Sequence, residues 1–222
     1  MQTGQWVFAQ RSSAKPNRNW WTLDVHQKKQ KKVEEKDYPN YQQGDCYAYI
    51  AIKRDTNLHV AHAVGKRIDL IAEHIIWKLS TVLQLPTFTY KLEVYTDGNK
   101  QYITALLTHF RKDCMVYGQL IKKKKNKRFA YKFKKKIFGN PDYSDIDTVN
   151  IESYNSILRE RVGCLVRRTK CFSKQRSRFE KRLDIFQAYN NTMKEDSDGK
   201  TPCMKEGLDD KKWKWMDFFM YR

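Results

Sequence analysis

The chain has 222 residues, which suits one folded domain with a single core better than two independent domains. It carries 44 Lys and Arg against 25 Asp and Glu, and the resulting formal net charge of +19 favours a polyanionic partner. Because 40% of the residues are hydrophobic and 14% aromatic, a disordered basic tail of the histone type is excluded.

The first third of the chain predicts a strand, a long loop, a hairpin and a helix. Residues 2–8 are mildly β-prone, whereas residues 11–43 are polar, basic and interrupted by prolines, which indicates an insertion or loop. Residues 46–53 and 58–64 alternate around an Asp-Thr-Asn turn and predict a β-hairpin. Residues 68–82 carry apolar side chains at helical spacing.

The middle of the chain alternates between strand and helix. Residues 91–96 predict a strand, 101–110 a short helix and 114–117 a further strand. Residues 122–136 contain ten Lys or Arg and no acid, so we expect a solvated basic loop there.

Two helices and a tail complete the prediction. Apolar residues recur at helical spacing over 148–168 and again over 174–189. Residues 191–222 are mostly polar and predict a mobile C-terminal tail, separate from a catalytic domain that spans residues 1–190. The aromatic residues near its end leave docking of the tail open as an alternative; they are Trp213, Trp215, Phe218 and Phe219. This order of elements predicts an α/β fold of the RNase H-like class, with a mixed five-stranded sheet flanked by helices.

Asp97 follows a predicted central strand and precedes Gly98, so its side chain is expected at the carboxyl end of that strand. Open α/β sheets form their binding sites at such strand ends. An Asp-Gly pair after a strand is also a common turn, and by itself the pair favours that simpler interpretation.

Glu152 lies on the helix predicted to follow the basic segment. Asn155 and Arg159 come three and seven positions later, so the three side chains share one face of that helix. On its own this pattern is typical of a solvated polar stripe opposite the apolar face.

The segment Ile151–Ser173 (IESYNSILRERVGCLVRRTKCFS) resembles the DDE transposases of bacterial and archaeal insertion sequences, in the group typified by insertion sequence one. Their helix pattern E-R-x-N-x-x-x-R-x-R is matched by Glu152, Asn155, Arg159 and Arg161. Their following block R-[KR]-T-x-x-F-S is matched by Arg167, Arg168, Thr169, Phe172 and Ser173. Upstream, 44–67 is similar to the family's hairpin and 95–102 (YTDGNKQY) to its second acidic motif.

The resemblance implies a DNA transposase that cleaves and joins strands by two-metal phosphoryl transfer with Mg²⁺ or Mn²⁺. It makes Asp97 the second and Glu152 the third of three metal-binding catalytic carboxylates. The partners it implies are transposon-end and target DNA, bound by a homodimer.

The first carboxylate of the motif has no counterpart in residues 1–8, which contain no acid. The family places it in a D-E-x-[WQ] run on the first strand, so we expect this chain to begin just after that run. The nearest acids are Asp24, within the predicted insertion, and Asp45. Asp45 is a weaker candidate metal ligand than Asp97 and Glu152.

Basic residues are expected to bind DNA phosphates without reading bases. Together with Asn155 on the catalytic helix, the residues expected to contact DNA are Arg159, Arg161, Arg167, Arg168, Lys123, Lys125 and Arg128. Two other functions stay open, namely a non-catalytic nucleic-acid-binding protein and an RNase H-like nuclease that cuts RNA or hybrids.

The longest apolar stretch, Tyr47–Ile52, has about six residues, whereas a membrane span needs roughly 20. We therefore expect a cytoplasmic, nucleoid-associated protein without membrane contact. The five cysteines are scattered and never spaced as CxxC, so the sequence favours reduced thiols over disulfides or a zinc site.

Overall fold

A computed structural model of the protein describes residues 19–27, 46–125, 128–166, 173 and 175–221, with the backbone alone for 19–27, 124–125 and 128–130. Its strands are β1 (Asn19–Gln27), β2 (Cys46–Lys53), β3 (His59–Gly65), β4 (Leu92–Asp97), β5 (Met115–Lys125) and β6 (Arg128–Phe138). Its helices are α1 (Asp69–Val82), α2 (Gln101–His109), α3 (Val149–Arg161), α4 (Arg176–Ala188), α5 (Pro202–Lys205) and α6 (Trp215–Met220). Short helical turns occur at Lys112–Cys114, Gly163–Leu165 and Tyr189–Met193.

The strands form one mixed sheet in the order β3-β2-β1-β4-β5-β6. Strand β1 runs parallel to β4, and β4 runs parallel to β5, whereas the pairs β1-β2, β2-β3 and β5-β6 are antiparallel. The predicted mixed α/β architecture and the β2-β3 hairpin are confirmed, but the sheet has six described strands instead of five.

The position of the first strand corrects the sequence prediction. Strand β1 lies within the segment that we expected to be an insertion or loop, and it pairs with β2 on one edge and β4 on the other. The strand predicted at 2–8 lies outside the described residues. The two prolines on either side of β1, at positions 16 and 39, suggested a loop, yet a central strand is stabilised by hydrogen bonds to both neighbours.

The basic segment 122–136 was predicted as a loop, but it forms the end of β5 and most of β6. Its aromatic and basic residues alternate with the period of two that strands require, as at Tyr131, Lys132 and Phe133. The exposed lysines of β6 include Lys132, Lys134 and Lys135. Charged side chains of this kind discourage an edge strand from pairing with another chain.

Helices cover both faces of the sheet and enclose two hydrophobic cores. On one face, the buried residues of α1 and α2, including Ile75, Ile76 and Tyr102, pack against the sheet. On the other face, Tyr154 of α3 and Phe179 of α4 pack against residues of β2 and β4. The structure therefore has three layers, with the sheet in the middle.

Helix α3 ends earlier than predicted, at Arg161, and a short turn follows at Gly163–Leu165. Residues 167–172, which carry the second block of the motif, lie outside the described residues. None of the helices in the described ranges is long and apolar enough to cross a membrane.

The C-terminal segment is packed onto the sheet, contrary to the predicted mobile tail. Asn190, Asn191 and Thr201 are buried. Glu206 accepts hydrogen bonds from Lys53 Nζ at 2.5 Å and from Thr56 Oγ1 at 2.7 Å, and so attaches the segment to the β2-β3 hairpin. These partners are about 150 residues apart in sequence, so no local pattern indicated the contact.

Candidate active site

Asp97 is the last residue of β4, as the sequence predicted. Tyr95, two residues earlier, belongs to the core beneath α3 and α4. Because strand side chains alternate between faces, Asp97 lies on this same face of the sheet. The carboxylate therefore stands at the carboxyl end of a central parallel strand, on the side of the sheet that α3 covers.

The turn after β4 is held by side-chain oxygens. Asp97 Oδ1 accepts a hydrogen bond from the Asn99 backbone N–H at 3.1 Å, and Asn99 Oδ1 accepts one from the Gln101 N–H at 3.3 Å. Gly98 has no positive φ, so the left-handed conformation available to glycine is not what makes this turn. One carboxylate oxygen of Asp97 thus has the structural role that an Asp-Gly turn predicts.

Glu152 lies in the first turn of α3. Its Oε1 accepts hydrogen bonds from Thr148 Oγ1 at 2.7 Å and from Lys122 Nζ. Burial disfavours the charge of Glu152, but the hydrogen bonds from Lys122 and Thr148 outweigh that effect and lower its pKa. Glu152 is therefore held as a carboxylate.

Lys122 interacts electrostatically with both predicted catalytic carboxylates. It lies on β5, where Leu120, two residues earlier, pairs with Asp97. Besides its contact with Glu152, its charge acts on Asp97. Asp97, Lys122, Thr148 and Glu152 together form what we call the carboxylate cluster. Sequence reasoning did not single out Lys122, because it was one of ten basic residues in a segment predicted to be a loop.

The two carboxylates have pKa values shifted in opposite directions. Burial raises the pKa of Asp97, against the lowering effects of the Asn99 N–H and the charges of Arg67 and Lys122. The pKa of Glu152 is lowered, as described above. Two carboxyl groups near one basic group, with unlike proton affinities, are an arrangement suited to acid-base or metal-assisted chemistry.

The cluster meets part of the requirement for a divalent cation. Carboxylate oxygens are the ligands that Mg²⁺ and Mn²⁺ prefer. Among the residues whose side chains the structure describes, which leaves out 19–27, no three His, Cys, Asp or Glu residues come together as a metal site. The ammonium of Lys122 already contacts Glu152, so a metal ion there would have to displace it.

Among the residues of the neighbouring strand β1, Asp24 is the acid nearest to Asp97 in the backbone register. Strand β1 pairs with β4 up to Thr22 and Thr96, so the next residues in the same register are Leu23 and Asp97. Asp24 pairs with Tyr49 on β2. It therefore lies in a central strand, not in an insertion as we expected. Asp45 lies outside the described residues.

The residues predicted to contact DNA fall into three groups. Arg161 and Lys123 are exposed, and Arg159 is half-buried. Lys125 and Arg128 pair at the end of the β5-β6 hairpin, with only their backbone described, and Arg167 and Arg168 lie outside the described residues.

Asn155 corrects the prediction of a DNA contact. It lies one turn after Glu152 but is only 1% exposed, because its side of α3 faces the core. Neither its Oδ1 nor its Nδ2 has a hydrogen-bond partner in the described part of the chain. Of the three residues on the predicted polar face, Asn155 is therefore buried, whereas Glu152 and Arg159 are half-buried.

Comparison with known proteins finds a weak structural similarity and no match in sequence. No protein-family model and no curated protein matches the sequence. Among solved structures, a crystal structure of the catalytic core domain of BIV integrase is similar, with a TM-score of 0.46 and 10% sequence identity. The match covers 93% of this chain and 100% of that domain.

Proposed function

We propose that this protein is a metal-dependent phosphoryl transferase acting on DNA, of the insertion-sequence transposase type. The observation that carries the proposal is the carboxylate cluster at the carboxyl end of β4, next to the basic β5-β6 hairpin. The proposal includes an RNase H-like fold for this chain. The resemblance of 151–173 to the transposase motif supports strand transfer over simple hydrolysis.

Asp97 and Glu152 are the residues that would bind the metal ions. A bound Mg²⁺ or Mn²⁺ would lower the pKa of an attacking water or 3′-hydroxyl and stabilise the leaving oxygen. The described donor set holds two of the three carboxylates that such a site needs. Asp45 remains the proposed third ligand.

Lys122 keeps Glu152 ionised by donating a hydrogen bond to it. With Glu152 holding a metal ion, the ammonium of Lys122 would be available to contact a phosphate oxygen of the substrate. Exposed lysines of the hairpin, including Lys123, Lys132 and Lys134, would bind the DNA backbone on either side. The chain's own residues thus supply metal binding, charge balance and substrate positioning.

A non-catalytic nucleic-acid-binding protein is the second candidate function. It is favoured by the contact between Lys122 and Glu152, because the ammonium of Lys122 occupies a carboxylate that a metal ion would need. A protein of this kind would bind DNA without metal and lose affinity steeply as salt increases.

Metal binding and DNA cleavage test the proposal separately. We expect Mn²⁺ to raise the melting temperature of the wild-type protein, and we expect Glu152→Gln and Asp97→Asn to remove that increase. The same variants should reduce nicking of supercoiled plasmid by on the order of 10²-fold or more. Asp113→Asn removes an exposed carboxylate outside the cluster and should change neither measurement.

Three other outcomes would point elsewhere. Salt-sensitive DNA binding without a Mn²⁺ effect or cleavage by any variant would replace the proposal with the non-catalytic function. Cleavage of RNA–DNA hybrids, with no strand joining, would replace transposase with nuclease. Cleavage that survives Asp97→Asn would remove the carboxylate cluster from the mechanism.

A further inference from the structure

Away from the carboxylate cluster, the structure contains an open groove of about 560 Å³ between the end of α3, helix α4 and helix α6. This volume lies within the range of pockets that bind small organic groups. The groove is lined mainly by Arg161, Arg182, Ile185, Phe186, Tyr189 and Trp215. We refer to it as the Arg161–Trp215 groove.

One wall of the groove is built from aromatic rings in contact with one another. The rings of Tyr189 and Trp215 stack with a centroid distance of 6.1 Å and an interplanar angle of 9°. Phe219 stacks against Trp215 in turn, and Phe186 contacts Tyr189. Trp215 is nevertheless 45% exposed, so part of this ring system remains accessible. Exposed aromatic faces of this kind stack on unpaired nucleobases regardless of sequence.

The rim of the groove is cationic. Arg161 and Arg182 are exposed, and neither forms an ion pair with a carboxylate in the described part of the chain. Burial lowers the pKa of Lys194, and the nearby positive charge of Arg161 lowers it further, whereas the charge of Glu160 raises it. Cationic side chains that converge in this way attract an anion.

The aromatic wall and the cationic rim favour one kind of ligand over another. A second copy of this chain would bring another +19 charge and two more arginines to the same rim, which opposes self-association here. An unpaired nucleotide offers a flat apolar base for the wall and a phosphate for the rim. We propose that the Arg161–Trp215 groove binds an unpaired base of single-stranded DNA, with its phosphate on Arg161 and Arg182.

The groove and the carboxylate cluster both include residues of α3. Arg161 follows Glu152 by nine residues on the same helix, about 13.5 Å along the axis and about 180° around it. A bound strand would have to pass around α3 as well as along it, and about four stacked nucleotides cover the axial distance alone. If the proposed function holds, the groove would therefore bind an unpaired strand end more than about four nucleotides from the scissile phosphate. Binding of the base does not itself depend on catalysis.

Binding of a labelled oligothymidylate, followed by fluorescence anisotropy in the presence of a metal chelator, tests the proposal. We expect Arg182→Gln and Trp215→Leu each to weaken binding about tenfold. Trp215→Phe keeps an aromatic face and should recover most of the affinity. The chelator removes any contribution of metal at the carboxylate cluster, so a failure of cleavage leaves this result unaffected.

Two matched controls distinguish the groove from general electrostatics. Lys181→Gln removes the same charge from the same helix, about 100° around its axis from Arg182, and should change affinity less than twofold. Trp77→Leu removes a tryptophan on α1 that is 49% exposed, and it should have no effect. Equal losses for Lys181→Gln and Arg182→Gln would overturn the proposal. A second result would also overturn the proposal. If Trp215→Leu binds single-stranded DNA as the wild type does but loses self-association in sedimentation, the groove is assigned to a second copy of the chain.

Discussion

Helix α3 contributes to two polar clusters whose settings are opposite. Glu152 and its partner Lys122 are 42% and 38% exposed, and their charges remain partly hydrated. Tyr154, two residues later, faces the core and its hydroxyl lies 2.8 Å from Nδ1 of His59. Because two residues on a helix are about 200° apart, one helix provides both a charged surface site and a neutral buried one.

The buried site is a chain of polar groups that extends across the core. His59 Nε2 lies 3.2 Å from His62 Nδ1. His62 Nε2 in turn lies 3.2 Å from Asp184 Oδ1, a charge contact that lacks hydrogen-bond geometry. We call His59, His62 and Tyr154 the histidine cluster. The comparison predicts a small contribution of the exposed Lys122–Glu152 pair to stability and a larger contribution of the histidine cluster.

Replacing His59 by leucine should have the largest effect on stability. The change leaves the Tyr154 hydroxyl and His62 Nδ1 buried without this partner, and each loss costs on the order of 1 to 3 kcal/mol. We expect the free energy of unfolding to fall by about 2 to 4 kcal/mol in urea denaturation. A fall below about 0.5 kcal/mol would show that the buried chain is not what stabilises this part of the core.

Tyr154→Phe should have a smaller effect, because it removes a single hydroxyl and preserves the aromatic packing with Phe186. The expected loss is about 1 to 2 kcal/mol, measured by the same denaturation. Combined with His59→Leu, the two losses should be less than additive, since both remove the same hydrogen bond. Full additivity would contradict the contact between Tyr154 and His59.

Acid should destabilise the folded protein through His59. Burial lowers the pKa of His59 well below its ordinary value of 6.5, and the positive charges of His62 and Lys78 lower it further. The unfolded chain therefore binds a proton below about pH 6.5 that the folded chain does not. The contribution of this group to stability is complete above that pH and declines as pH falls, by up to about 1.4 kcal/mol per pH unit.

Urea denaturation at a series of pH values between the ordinary pKa of histidine and more acidic conditions measures this decline. His59→Gln cannot take up the proton, so its stability should depend less steeply on pH than that of the wild type. His74→Gln is a control at a half-buried position of α1, where burial lowers the pKa of His74 less strongly. Equal slopes for His59→Gln and the wild type would assign the acid sensitivity to other groups.

The smallest stability effect is expected for Lys122→Met. The pair with Glu152 is largely exposed, and such pairs contribute about 0 to 1 kcal/mol. Removal of the competing ammonium should, however, strengthen Mn²⁺ binding about two- to fivefold, measured by titration of the melting temperature. Lys123→Met, the adjacent exposed lysine, should leave Mn²⁺ binding unchanged. Weaker Mn²⁺ binding by Lys122→Met would show that Lys122 supports metal binding instead of competing with it.

Local patterns in the sequence predicted much of the fold. Alternation around Asp55, Thr56 and Asn57 identified the β2-β3 hairpin, and Asn57 adopts the positive φ that its turn requires. Apolar spacing identified α1, α2, α3 and α4, because these helices bury one face each. The placement of Asp97 at a strand end and of Glu152 on a helix followed from the same local signals.

What the sequence did not reveal depends on contacts between distant segments. Strand β1 is central because β2 and β4 pair with it from either side, and no pattern within 19–27 encodes those partners. Asn155 is buried and Lys122 meets Glu152 only after α3 packs over the sheet. The Arg161–Trp215 groove forms where Trp215 reaches Tyr189 from 26 residues away. Periodicity depends on a residue's neighbours in sequence, whereas burial, charge pairing and grooves depend on which surfaces meet when the chain folds.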